Sequence, residues 1–306
     1  MAAGCKRTQP AERGAKQGTP SARLPEQPAA AYPGSVGELL TESIAALDEL
    51  ERAGWTRQSA TYDDGFGALA AGVHGAMLDA AAGHRLLDVG CGTGRLAAAA
   101  TERGIRVTAT DVVHEMVART AEAVPGVHVL RAALPHLPFR DGAFDAAVGA
   151  FVVNHVADPP AALRELRRVV RPGGRVVLSF WDTDERNRAL GVFSEAIARV
   201  GADHPGGLFG ASPLRATPDA FAALLRDAGL RDVRVDHIAW THHVPGDQWW
   251  RDVLGGTVRT ASLIEAQDDA ATARIRAAYD RAVAAYLISD HRVALPATAL
   301  LASGTC

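Results

Sequence analysis

Between residues 85 and 181 the chain repeatedly changes its hydrophobic period. Short apolar runs, "RLLDVG", "IRVTATD", "VHVLRA", "FDAAVGAFVV" and "RVVLSFW", are separated by stretches of helical spacing, "RLAAAATERG", "HEMVARTAEAV" and "DPPAALRELRRVVRPGG". Near-continuous apolar strands read as buried on both faces. Strands alternating with helices predict an α/β fold, a doubly wound and mostly parallel sheet with right-handed crossovers. The last of these helices carries its own punctuation. Asp158 is placed to cap it, Pro159 suits its first position, and "PGG" is its expected stop. Ligands of such sheets lie at the carboxyl ends of the strands, where the winding reverses.

The flanks differ. Residues 1–34, rich in Pro, Gly, Ala and scattered charge with almost no large apolar side chain, read as a disordered tail. Residues 35–304 read as one domain. N-terminal helices are expected within 36–82. The first carries Leu39, Leu40, Ile44, Leu47 and Leu50, with Ser35 and Glu38 at its start and Gly54 at its C′ position; the second covers Gly67–Ala82. A late helix-plus-strand unit, "TPDAFAALLRDAGLRDVRVDHIAW", precedes a last strand near 292–304. Segments near 186–216 and 245–290 read as insertions that build a helical cap. Four of the five tryptophans, Trp181, Trp240, Trp249 and Trp250, lie at or beyond the fifth strand, which suits an apolar or aromatic ligand under that cap. Trp249 and Trp250 are adjacent, so on a helix one should pack inward and leave the other free.

Composition narrows the class. There are 32 Lys and Arg against 35 Asp and Glu, a net charge of −3, so no basic field calls for nucleic acid or an anionic membrane. Cys5, Cys91 and Cys306 make neither a disulfide framework nor a metal spacing, which fits a reducing, cytoplasmic setting. The eleven histidines are scattered without ligand spacing, so no metal site is expected. No apolar run reaches the roughly 20 residues of a membrane span, and the N-terminus lacks the apolar core of a signal peptide.

The segment "LLDVGCGTGRL", residues 86–96, carries the chemistry. "GTGRLA" with Asp111 about 20 residues on fits a loose dinucleotide pattern, which keeps an NAD(P)-dependent reductase as an alternative. The frame argues against it. The strand ends in Asp88, two residues before Gly90, and a carboxylate there repels a pyrophosphate but suits a cationic ligand without phosphate. S-adenosylmethionine, with a sulfonium, an ammonium and a ribose, is such a ligand. Asp111, ending the second strand, would accept hydrogen bonds from the ribose hydroxyls.

"LLDVGCGTGRL", "VTATDVVHEMV", "LPHLPFRDGAFDAAV" and "LRRVVRPGGRVVLSFW", in that order, resemble the class I S-adenosylmethionine-dependent methyltransferases. The resemblance is nearest to the small-molecule branch that includes quinone-biosynthesis and natural-product enzymes. It implies a seven-stranded sheet and a small methyl acceptor. It also implies roles: Asp88 near the methionine end; Gly90, Gly92 and Gly94 as the floor; Asp111 on the ribose; Val112 and Met116 by the adenine. Where the family often has an Asp for the adenine amino group this chain has Ala133, leaving the backbone of Ala133 and Leu134. That departure keeps a non-catalytic, cofactor-binding member as a second alternative. Ala150 and Phe151 are expected to end the fourth strand and line the site. A nucleic-acid enzyme would want an Asp-Pro-Pro-Tyr type motif after that strand, where "AFVVNH" stands instead. His155, after Asn154, is the best-placed general base, since histidine ordinarily titrates near neutral pH. Tyr62 is placed to close over the cofactor. The acceptor's identity and the oligomeric state are not legible.

Overall fold

The computed structural model describes residue 1, residues 49–202 and residues 217–306. The expected tail, the start of the first helix and part of the first insertion lie outside these residues.

Five parallel strands form the body of the sheet: β1 (Arg85–Val89), β2 (Arg106–Asp111), β3 (His128–Arg131), β4 (Phe144–Gly149) and β5 (Val170–Trp181). Two long strands, β6 (Arg231–Pro245) and β8 (Arg292–Thr305), and a short β7 (Leu287–Ser289) complete it. The order is β3-β2-β1-β4-β5-β8-β6, with β7 on β8; β8 runs antiparallel to β5, β6 and β7. The doubly wound, mostly parallel sheet is therefore as the alternation predicts, with one more short strand than the seven expected. Winding reverses between β1 and β4, so their carboxyl ends open onto one crevice.

Helices cover both faces. On one, α2 (Phe66–Ala70), α3 (His74–Ala81) and α4 (Arg95–Glu102) bury Ala70, Met77, Leu96 and Ala100 against β1, β2 and β4. On the other, α6 (Pro159–Val169) and α8 (Pro218–Asp227) bury Leu163, Leu166, Phe221 and Leu225. Asp158 caps α6 by accepting from the Ala161 amide at 2.9 Å, as its position predicts. α5 (His114–Ala123) flanks β2 and β3. A third core lies beyond the sheet. β5 pairs with β8 only from Ala299 onward, whereas β6 and β8 stay paired out to Pro245 and Arg292. This ribbon therefore extends past the carboxyl end of β5. It carries α7 (Arg188–Val200), α9 (Gly246–Leu254), α10 (Arg259–Glu265) and α11 (Asp269–Val283), packed through Phe193, Trp249, Trp250, Ile275 and Tyr279.

Four local expectations are corrected. Gly54 does not end the first helix: α1 runs through it over residues 49–58. The glycine is required because a Cβ there would collide with the Val258 side chain. The helix expected over Gly67–Ala82 is broken into α2, a 3-10 turn (Ala71–Val73) and α3, and the Trp240 indole fills the space a Cβ at Gly72 would need. "PGG" is not a loop after α6 but a bulge inside β5, where pairing with β4 jumps from Phe144–Val170 to Ala146–Arg175. β4 ends at Gly149, so Ala150 and Phe151 follow the strand rather than close it. Among the described residues no helix is long and apolar enough to cross a membrane.

Candidate active site

The site grows from the ends of β1 and β2. After Val89 the chain must turn at once to enter α4. Gly90 (φ +67°), Gly92 (φ +55°) and Gly94 (φ +88°) take the left-handed conformations this needs, and a Cβ on Gly90 would strike the Val152 side chain. The turn is clamped from outside. The Gly92 amide donates to Asp111 Oδ2 at 3.0 Å, the Cys91 amide donates to the Thr110 carbonyl at 3.0 Å, and Thr120 Oγ1 donates to the Gly92 carbonyl at 2.8 Å. Asp111 Oδ1 also takes the Val113 amide at 2.9 Å. Burial nonetheless outweighs these backbone donors and holds the Asp111 carboxyl above its usual range.

Asp88 is the anomaly. It is 1% exposed, and its Oδ2 is buried with no hydrogen-bond partner. Burial, and then the charge of Asp111, push its carboxyl up to about 7. An orphaned carboxylate oxygen in a small cavity calls for a donor, preferably a cationic one. That cavity is also lined by Gly90, Cys91, Gly92, Thr93, Arg95 and Tyr62. Tyr62 opens a 3-10 turn (Tyr62–Asp64) above the glycines, and Asp63 pins the turn by accepting from Thr93 Oγ1 and pairing with Arg95.

A larger cavity of about 370 Å³ shares Tyr62, Gly90, Gly92 and Ala150 with the small one. Asp111, Val112, Met116, Ala132, Ala133 and Leu134 line one part of it. The Ala133 side chain offers no hydrogen bond, and its carbonyl already accepts from the His136 amide. Trp55, Phe151, Trp181, Leu190, Val258 and His155 line another part. Phe151 and Trp181 stack at 3.8 Å between centroids. The structure thus places the predicted residues around two adjoining cavities, with one exception. Asp88 lines the small cavity and not the large one, and Gly94 lines neither. Gly94 precedes α4 and abuts Thr120.

The sequence expectation for the tryptophans holds only in part. Trp181 reaches the cavity. Trp249 and Trp250 are both buried: Trp249 donates Nε1–H to the Ala189 carbonyl at 2.8 Å and stacks on Phe66, and Trp250 stacks on Phe193. Neither is free. They occupy different sides of α9, but helices α7 and α11, with the ribbon, surround both sides. Glu51, Trp55 and Arg259 went unread in the sequence. A usable signal existed: Glu51, Gly54, Trp55 and Gln58 fall at i, i+3, i+4 and i+7, one face of α1. That face is polar and aromatic, so a search for apolar stripes passes over it.

Comparison with known proteins agrees with this geometry. The family described as "Methyltransferase domain" matches residues 87–178. A demethylmenaquinone methyltransferase of Mycolicibacterium vanbaalenii is 31% identical over 184 residues, 57% of this chain and 73% of that one. This chain belongs to the class I S-adenosylmethionine-dependent methyltransferases. An uncharacterized methyltransferase of Mycobacterium bovis is 38% identical over 121 residues, 40% of this chain and 49% of that one. An uncharacterized 37.1 kDa protein in a transposon of Streptomyces fradiae is 45% identical over 114 residues, 35% of this chain and 33% of that one. The methyltransferase chain thus spans a third to a half of the length of these two relatives. The orphaned Asp88 oxygen and the glycine turn beside it fit the family's cofactor, which is cationic at its methionine end and carries no phosphate.

Proposed function

We propose that this chain transfers the methyl group of S-adenosylmethionine to a small acceptor with an apolar or aromatic body. The observation that carries the reading is the continuity of the 370 Å³ cavity from Asp111 to Trp55, Phe151 and Trp181. Its volume lies in the range of small-molecule sites, about 300–1,000 Å³, and its walls are largely apolar. In this reading Asp88 takes the ammonium end of the cofactor, and Gly90, Gly92 and Gly94 shape the floor. Asp111 accepts from the ribose, while Val112, Met116 and the backbone of Ala133 and Leu134 enclose the adenine. Ala150 and Tyr62 close the junction between the cavities. The bound cofactor supplies an electrophilic methyl on sulfur. The chain's part is to hold the acceptor in line, exclude water and take up a proton where the acceptor must lose one. His155 is the group for that last task.

A quinol or phenol is a natural candidate acceptor, supported by the cavity's aromatic lining and by the similarity to a demethylmenaquinone methyltransferase. The helices α7 and α9–α11 act as a cap over the acceptor, and the setting is cytoplasmic; Cys91 and Cys306 carry free thiols. A reductase is disfavoured because Asp88 faces the place a pyrophosphate would need.

The test is transfer of label from methyl-labelled S-adenosylmethionine to a panel of quinols, phenols, catechols and amines by the full chain. Label in an extractable product with equimolar S-adenosylhomocysteine supports the reading. Tight binding of S-adenosylhomocysteine without transfer to any acceptor would favour a non-catalytic member. Binding of NADPH but not S-adenosylhomocysteine would favour the reductase.

A further inference from the structure

Glu51 is a carboxylate in an unusual place. It lies on α1, and its side chain is only 5% exposed. A buried carboxylate needs partners, and this one has two. His155 Nδ1 lies 2.8 Å from Oε2, and Arg259 donates Nε–H to Oε1 at 2.9 Å. Arg259 also donates from Nη2 to the Asn154 carbonyl at 3.1 Å. The three residues come from α1, the 3-10 turn after β4 (Val153–His155) and the first position of α10. All of them line the large cavity.

We propose that Glu51 is the positioning residue of His155, holding the imidazole with its proton on Nδ1 and its lone pair on Nε2, with Arg259 as the clamp on Glu51. This rests on the methyl-transfer reading and deepens it: the acceptor is one that must lose a proton, a hydroxyl such as a phenol or an enol. An ionised carboxylate can only accept hydrogen bonds, so the ring nitrogen facing Glu51 has to be the protonated one. Burial by itself would raise the Glu51 carboxyl, but the hydrogen bond and charge of His155, together with those of Arg259, overcome this and hold it below its usual range. The other cation on α1 at this cavity, Arg52, is turned to Glu49.

Asn154 meets the other ring nitrogen. Its Nδ2 lies 2.7 Å from His155 Nε2, a donor against a lone pair, which agrees with the tautomer that Glu51 imposes. Its Oδ1 is buried with no partner. Half a turn of the same amide sets Oδ1 against Nε2, which is what a protonated ring requires. For transfer the acceptor's hydroxyl would displace the Asn154 amide from Nε2; its O–H bond would break with the proton going to Nε2, and the oxygen pair would form the new bond to the cofactor's methyl carbon as the C–S pair returned to sulfur. Once the methylated oxygen withdraws, Asn154 Oδ1 would return to Nε2–H, so that the imidazolium has an acceptor on each side, with Glu51 on Nδ1–H. Trp55 fixes the ring plane, edge-on at 4.9 Å.

The test uses the full chain labelled with 15N-histidine, with the His155 signals assigned by their loss in His155→Gln. The neutral ring should be the Nδ1–H tautomer in the unaltered protein; finding the Nε2–H tautomer overturns the proposal without any variant. Glu51→Gln should mix the tautomers and lower kcat by up to about 10²–10⁴-fold, the whole worth of a positioned base, with cofactor Kd within about twofold. Glu51→Asp, which keeps the charge on a shorter stem, should recover part of both. A fall in kcat with the tautomer unmoved would make Glu51 a packing residue and refute the role. If no acceptor is methylated at all, the methyl-transfer reading fails, while the tautomer still decides whether Glu51 sets the ring.

Discussion

Cofactor binding should be coupled to release of a proton from Asp88. The carboxyl is pushed up to about 7, chiefly by burial, and its Oδ2 has no partner. An ammonium set against it would restore the ordinary range, near 3.9. Only the ionised form pairs with the cation, so affinity follows the ionised fraction: roughly a tenth at pH 6 and nine-tenths at pH 8. Affinity should therefore rise nearly tenfold across that interval, about 1.4 kcal/mol, with about 0.9 proton released per cofactor bound at pH 6. The cofactor's own amino group, near 7.7–8.0, begins to lose its charge at the upper end, so the cleanest window is pH 5.5–7.5. Calorimetry in buffers of different ionisation enthalpy measures both quantities. The stability effect has the opposite sense. A carboxyl raised in the folded state holds a proton that the unfolded chain releases, so its contribution to stability declines as pH rises from about 4 to about 7. Asp88→Asn should then raise Tm at pH 8 more than at pH 5, weaken cofactor binding, and remove the pH slope. Affinity that is flat with pH in the unaltered chain, or an Asn variant that keeps the slope, would refute the reasoning.

Three other outcomes follow from the same geometry. Asp111→Ala should weaken cofactor binding at least tenfold, since hydrogen bonds to a charged group are worth about 1.5–3 kcal/mol each. It should also lower Tm, because the Gly92 and Val113 amides lose their acceptor; unchanged calorimetric affinity would remove Asp111 from the site. His155→Ala should lower kcat by about 10²–10⁴-fold while cofactor affinity holds, and His155→Gln should not rescue it; a Gln variant with full activity would mean that proximity alone suffices. Trp249→Ala and Trp250→Ala should both destabilise the fold, by about 3–5 kcal/mol for a fully buried tryptophan. A variant that kept its Tm and raised only the acceptor's KM would contradict their burial.

Much of the fold and half of the site are properties of local sequence. A buried parallel strand and the helix after it are set by residues within a few positions of one another, so β1, β2, β4, α6 and its Asp158 cap are legible directly. The same holds for Asp88, the glycine turn and Asp111, because each is fixed by its distance from a strand end. The other end of the large cavity obeys no such rule. Glu51 lies 104 residues from His155 and 208 from Arg259. No periodicity links them, and only the docking of α1 and α10 over the end of β4 brings their charges together. Tertiary packing also decided the apparent exceptions. Gly54, locally a helix terminator, lies within α1, where its missing side chain leaves room for Val258. Trp249 and Trp250 are both core because helices enclose α9 on two sides. The chain's short-range pattern determined where the glycine turn and its two aspartates lie. Burial of charged and aromatic groups from distant elements determined what lies beside it, since a buried charge is stable only where the fold supplies its partner.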